Sequence, residues 1–251
     1  TGSEWIPAPP SSSTETTSSA NVSLQDSVIG GDVNIVHNDP EGIASALVLA
    51  LEEVGFKGVL STANELSDQN KKKVQDILSQ IQNRNLSLEP WAEIKVGDAA
   101  ISLGECSVAE EHYSKALEKF IENGDKSGEA TALYRIGKKT LDYSPFAPCS
   151  IFNQKNIPKE QERIFVQNAI EYINRSISLF QEEGNWRSEI ETRSVYALIL
   201  LWLPQEYKAA DGNQQRIQHD REIVRIHDEH NPSIPLLPYV EALLQLAEMG
   251  T

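Results

Sequence analysis

The stretch VGDAAISLGECSVAEEHYSKAL, residues 96–117, contains two helix-length segments separated by Gly104 and Glu105, with small residues (Gly97, Ala100, Ala109, Ala116) set among large ones. Flanking sequence repeats the pattern. Residues 122–137, ENGDKSGEATALYRIG, align with residues 182–197, EEGNWRSEIETRSVYA, so that Gly124 falls on Gly184, Asp125 on Asn185 and Glu129 on Glu189. The preceding helical segments follow the same shift of 60 residues, AEEHYSKALEKF at 109–120 onto AIEYINRSISLF at 169–180, matching Ala109 to Ala169 and Phe120 to Phe180. Gly97 recurs 40 residues later as Gly137, and Ala197 takes the corresponding place in a third, degenerate unit. A unit that recurs in this way predicts an array in which each copy buries its apolar face on the next.

At Val96, Gly97, Ala100, Gly104, Ala109, Tyr113, Ala116 and Leu117 the first unit resembles a tetratricopeptide repeat. The physical logic is that Gly97 and Ala109 are small where two antiparallel helices cross closely, Tyr113 fills the gap beside them, and Gly104 ends the first helix. The 40-residue spacing is similar to the longer-helix subclass found in kinesin light chains. The resemblance covers about residues 90–200 and fades towards the C-terminus. The second unit departs from the pattern. Its helices, 128–141 and about 162–182, are separated by YSPFAPCSIFNQKNIPKEQ, which adds some 20 residues to the turn. Loops of that length inside compact units usually have a role, and Phe146, Phe152 and Ile157 predict that it folds back onto the groove or its rim. The third unit starts at about Ser188–Leu203 and continues with a helix over about Tyr207–His230. Residues 236–249 read as a capping helix.

Outside the repeats the chain changes character. Residues 1–20 are rich in Ser, Thr and Pro and predict a flexible linker. In residues 21–37, NVSLQDSVIGGDVNIVH, Val22 and Leu24, then Val33 and Ile35, alternate with polar residues as in short strands. Such a piece is marginal alone, so it must pack on the helices or pair with another chain. Residues 38–85 predict a helical pair before the repeats: one helix from Pro40 to about Val54, stopping at Gly55, and one over about Asp68–Asn83. The second is one-faced, with Val74, Ile77, Leu78 and Ile81 at helical spacing. Lys71, Lys72 and Lys73 read as a solvated face. The expected fold class is thus all-α, a tetratricopeptide-like helical-hairpin solenoid over 86–251 carrying an insertion at 143–162, preceded by a short β segment and a linker.

Charge narrows the partners. The 251 residues carry 22 Lys+Arg against 37 Asp+Glu, a net charge of −15, which opposes binding to nucleic acid or to an anionic membrane surface. Residues 1–60 hold eight acids and one base, Lys57, so nearly half of the excess lies outside the repeats. The longest apolar run, Ile43–Leu51, is about half of the ~20 residues a membrane helix requires. The N-terminus lacks the basic start and apolar run of a secretory signal, and the only Met is Met249, so the sequence reads as a processed product or a piece of a longer chain. Cys106 and Cys149, far apart and in no C-x-x-C pair, read as two separate thiols in a reducing, cytoplasmic compartment. The N-x-S sequons at Asn21, Asn85 and Asn174 are accordingly expected to stay unmodified.

The resemblance implies a concave groove lined by the first helix of each hairpin and open to a peptide or partner protein. On matching positions its residues are Trp91, Ile94, Asp98 and Ile101 in the first unit, Tyr134, Lys138, Leu141 and Asp142 in the second, and Glu191, Ser194, Leu198 and Trp202 in the third. With Asp98 and Asp142 set against one base, Lys138, a basic or neutral partner is the expected match, rather than a clamped C-terminal carboxylate. Catalytic groups are sparse. His227 and His230, with His219 two turns earlier, could supply part of a metal site, but histidines late in a helix are more simply explained by its dipole. Gly30-Gly31-Asp32 lacks the frame of a nucleotide loop, and His37-Asn38-Asp39 reads as a helix cap. The expectation is a non-enzymatic scaffold with no metal or cofactor, homo-oligomerisation through 21–37 being a further expectation. A regulatory module acting on an upstream effector domain is the alternative, and a metal-dependent enzyme comes third.

Overall fold

The computed structural model describes residues 50–51, 68–84, 86–142, 147, 149–154, 157–208 and 212–230. The expected linker, β segment, capping helix and most of the first helix lie outside these residues, as does Phe146. Among the described residues the fold is all-helical. It comprises α1 (Asp68–Arg84), α2 (Pro90–Leu103), α3 (Cys106–Asn123), α4 (Lys126–Leu141), α5 (Lys159–Glu182), α6 (Trp186–Trp202) and α7 (Gly212–His230), with one 3-10 turn at Ile151–Asn153 between α4 and α5. α1 buries Val74, Ile77, Leu78 and Ile81, the expected stripe, and leaves Lys72 exposed. α7 starts at Gly212 rather than near Tyr207, because Pro204 and the turn after it interrupt the helical backbone.

Three of the turns share one local chemistry: the α2–α3 turn and the two links between hairpins. Gly104, Gly124 and Gly184 end α2, α3 and α5 with φ of 77°, 68° and 65°, the left-handed conformation that a side chain disfavours. Directly after two of them, Asp125 accepts the Gly128 N–H at 2.8 Å and Asn185 accepts the Ser188 N–H at 3.3 Å, capping α4 and α6. Successive helices run antiparallel. Along α2 and α3, Glu93 meets His112 while Asp98 meets Tyr113 and Leu88 meets Lys119; along α4 and α5, Glu129 meets Arg175 while Gly137 faces Ile173.

The glycines mark where helices approach most closely. A Cβ on Gly97 would overlap the Tyr113 ring, one on Gly128 would overlap the Phe120 ring, and one on Gly137 would stand 2.6 Å from Ile173 Cγ1 and 2.9 Å from the Ala169 carbonyl oxygen. Gly97 with Tyr113 and Gly137 with Ile173 are therefore the same crossing built twice, since the 60-residue shift carries Tyr113 onto Ile173. In the third hairpin Ala197 is fully buried, and α7 contributes Ile223 and Ile226 to the core.

The described residues of the 143–162 insertion pack into the core. Ile151 is buried with Leu141 of α4, Val166 and Ile173 of α5 and Leu203 beyond α6, and Phe152 and Ile157 pack against the same cluster. Ser150 caps the 3-10 turn by accepting the Phe152 N–H at 3.3 Å. The expectation of two separate thiols is overturned: Cys106 and Cys149 form a disulfide with a Cα–Cα distance of 5.2 Å, leaving no free cysteine. Cys149 follows Cys106 by 43 positions, across α3 and the returning α4, so the α2–α3 corner and the α4–α5 insertion come to the same edge. Sequence distance hid that neighbourhood.

Candidate partner-binding face

Besides its sequence neighbours, α4 packs against α2 and α6, so the first helices of three successive hairpins are in contact. Charged and aromatic groups converge there. The Asp98 carboxylate on α2 accepts the Tyr113 hydroxyl of α3 at 2.6 Å and stands 3.1 Å from Arg135 Nε of α4, an ion pair without hydrogen-bond alignment. Burial pushes the Asp98 carboxyl up, and Arg135, Tyr113 and Lys138 pull it back only in part. Burial together with the adjacent Asp98 charge holds the Tyr113 phenol protonated far into the alkaline range. On α4 the Tyr134 ring lies under two cations, Arg135 at 5.3 Å and Lys138 at 5.8 Å from its centroid. Its hydroxyl donates to Glu191 of α6 at 3.4 Å.

Lys138 is the chemically open member of this group. It is half-buried, and burial and the nearby Arg135 lower its pKa, against the pull of Asp142, Glu191 and Asp98 in the other direction. It makes no hydrogen bond or ion pair within 4 Å with any described residue, its closest polar association being the Tyr134 ring. A half-buried ammonium lacking a carboxylate partner is electrostatically incomplete.

The other expected groove residues separate into two sets. Ile94, Leu141 and Ser194 are buried, the Ser194 hydroxyl donating to the Ile190 carbonyl at 2.7 Å, so they support the face from behind and are not available to a partner. Ile101, Asp142 and Leu198 are half-buried, and Glu191 is exposed. Trp91 is 46% exposed, its ring edge-on to Phe120 at 5.0 Å, and Trp202 is 64% exposed at the end of α6. Sequence reasoning missed Arg135, and read Tyr113 only as the filler of the helix crossing. Arg135, three residues before Lys138 on a helix, carried the signal that could have found it.

The histidines do not converge. His219 is half-buried between the Tyr196 ring and Arg193, whose Nη1 is 3.0 Å from Nδ1, and burial with that positive neighbour lowers its pKa to about 4. His230 stacks on Trp186, and His227 faces Asp228. Among the described residues no three His, Cys, Asp or Glu side chains are grouped to hold a metal ion. None of their helices is long and apolar enough to cross a membrane. A cleft of about 580 Å³ lies between α5 and α6, with Val166, Ile170, Tyr196 and Leu200 in its wall, and none of the expected groove residues lines it. No protein-family model matches the chain, and no curated protein matches it.

Proposed function

We propose that the chain is a protein-binding scaffold, a tetratricopeptide-like array whose α2, α4 and α6 receive a segment of a partner protein. The observation that carries this reading is Lys138, a half-buried cation on α4 beside Tyr134 that has no carboxylate within ion-pair distance among the described residues; α2 and α6, the first helices of the flanking hairpins, carry the exposed indoles Trp91 and Trp202. The charge expectation changes with it. Asp98, the main reason to expect a basic or neutral partner, is engaged by Tyr113 and Arg135. The segment that fits best offers a carboxylate to Lys138 and apolar side chains to the tryptophans. Self-association through 21–37 and a cytoplasmic location belong to the same proposal, the latter on condition that the Cys106–Cys149 bond can open and close there.

The test is capture of binding partners by the wild type and by the Tyr134→Ala/Lys138→Glu double variant. Loss of particular partners with unchanged circular dichroism supports the groove, whereas unchanged capture of every partner counts against it. Light scattering with and without residues 1–38 checks self-association separately.

A further inference from the structure

We infer that the Cys106–Cys149 disulfide is a reversible latch, opened by a dithiol reductant through thiol–disulfide exchange at Cys106, that fastens the α4–α5 insertion to the preceding hairpin. This does not rest on the groove reading. Three features point to exchange rather than to a permanent staple.

The first is that the two sulfurs differ in access. Cys149 is buried, whereas Cys106 is half-buried at the first position of α3. A thiolate reaches Cys106 more readily, and the amide hydrogens of the first helical turn stabilise the thiolate that Cys106 becomes on release. The second is that the insertion does not need the bond to stay in place. Ile151 lies in the α4–α5–α6 core, Phe152 packs on it, and the Ser150 hydroxyl donates to the Thr140 carbonyl at 3.5 Å, so after reduction Cys149 remains close to Cys106 and the bond can re-form. The third is that the array has an ample apolar core with this single crosslink, unlike small domains that depend on several disulfides.

The exchange balances as follows. A thiolate of the dithiol attacks Cys106 Sγ, the S–S bond breaks, and its electron pair leaves with Cys149 Sγ, which takes a proton. The second thiol of the reductant then attacks the mixed disulfide and becomes the reductant's own disulfide, while Cys106 leaves as a thiolate and is protonated. Two electrons and two protons have passed to the protein. Once the bond is open, contact between the first two hairpins is carried by α3–α4 packing, the Asp98–Arg135 pair and the Lys139–Glu110 pair at 2.5 Å. The insertion is then held by its own hairpin and by α6, Leu203 and Tyr207 of the next, and no longer by the first.

The full chain is incubated with reduced thioredoxin, and with a thioredoxin variant lacking its resolving cysteine, and followed by mass spectrometry and amide hydrogen exchange. The expected results are a trapped mixed disulfide on Cys106, two alkylatable thiols in the still-folded protein, and exchange in 149–154 faster by about tenfold or more with α5 unchanged. The Cys106→Ser/Cys149→Ser variant should match the reduced protein. A bond that survives the reductant until the helices unfold overturns the proposal. So does trapping on Cys149, or exchange in 149–154 that is the same in both redox states.

Discussion

The Tyr113 hydroxyl donates to the Asp98 carboxylate at 2.6 Å across the α2–α3 crossing, with the ring of the same tyrosine filling the space that Gly97 leaves. One side chain thus serves the packing of a hairpin and the charge state of the face beside it. In Tyr113→Phe the ring stays and the hydrogen bond goes, leaving a buried carboxylate with Arg135 alone. The expected loss is about 1–3 kcal/mol, read from the urea midpoint. A midpoint equal to wild type would mean that water replaces the hydroxyl at no cost.

Because the Asp98 pKa is raised in the fold, the folded state holds this proton more tightly than the unfolded chain. Its favourable contribution is full below the ordinary carboxylate range and is lost as pH rises through the folded pKa. Asp98→Asn should therefore remove a loss of stability on going from acid towards neutral pH. Matching wild-type and variant stability profiles across that range would contradict the assignment.

His219 has the opposite sign. Its pKa falls from 6.5 to about 4 in the fold, so between those values the unfolded chain takes up a proton that the folded chain refuses. Stability should be full above 6.5 and decline towards about pH 4; burial and then Arg193 of α6 disfavour the imidazolium, and Glu222 of α7 only partly compensates. At about 1.4 kcal/mol per pH unit the decline approaches 3 kcal/mol. Denaturant titrations at several pH values should show it in the wild type and a flatter dependence in His219→Gln.

Two glycines should respond differently to alanine. At Gly137 the added methyl meets Ile173 and the Ala169 carbonyl, and α4 and α5 must separate, at a cost of about 1–3 kcal/mol. At Gly124 nothing lies within 4 Å, and only the positive φ of 68° opposes the change, at about 1–2 kcal/mol. Doubling the change to valine should worsen Gly137 steeply by volume. Thermal melts of the Ala and Val pairs distinguish steric from conformational cost.

Trp202, two-thirds exposed, should contribute little to folding: Trp202→Ala is expected to shift stability by no more than about 0.5 kcal/mol. A binding defect in this variant would then report a direct contact. A large drop in melting temperature would instead place the indole in the core of the intact chain.

Much of the helical pattern was legible in residues 68–230 because local rules and packing agree there. The Gly104, Gly124 and Gly184 stops, the Asp125 and Asn185 caps and the stripe Val74-Ile77-Leu78-Ile81 each have a meaning within one or two turns of helix, and Gly97 and Gly137 recur with the repeat. The groove was less legible. Positional matching put Ile94, Leu141 and Ser194 on the face, although each is buried, because one repeat's spacing does not say how far the next hairpin covers it. Lys138 is named by the sequence, whereas the engagement of Asp98 by Tyr113 fifteen residues later and by Arg135 on another helix is not.

Sequence alone indicated most helix boundaries, which depend on interactions a few residues apart, and, through the repeat, which small residues recur at close crossings. Tertiary structure decided that Cys106 meets Cys149, that the described part of the insertion enters the core, and that, among the described residues, Asp98 has an ion-pair partner while Lys138 has none. Those outcomes depend on side chains brought together by the return of the chain after a whole hairpin, and burial there sets the electrostatic cost of every unpaired charge.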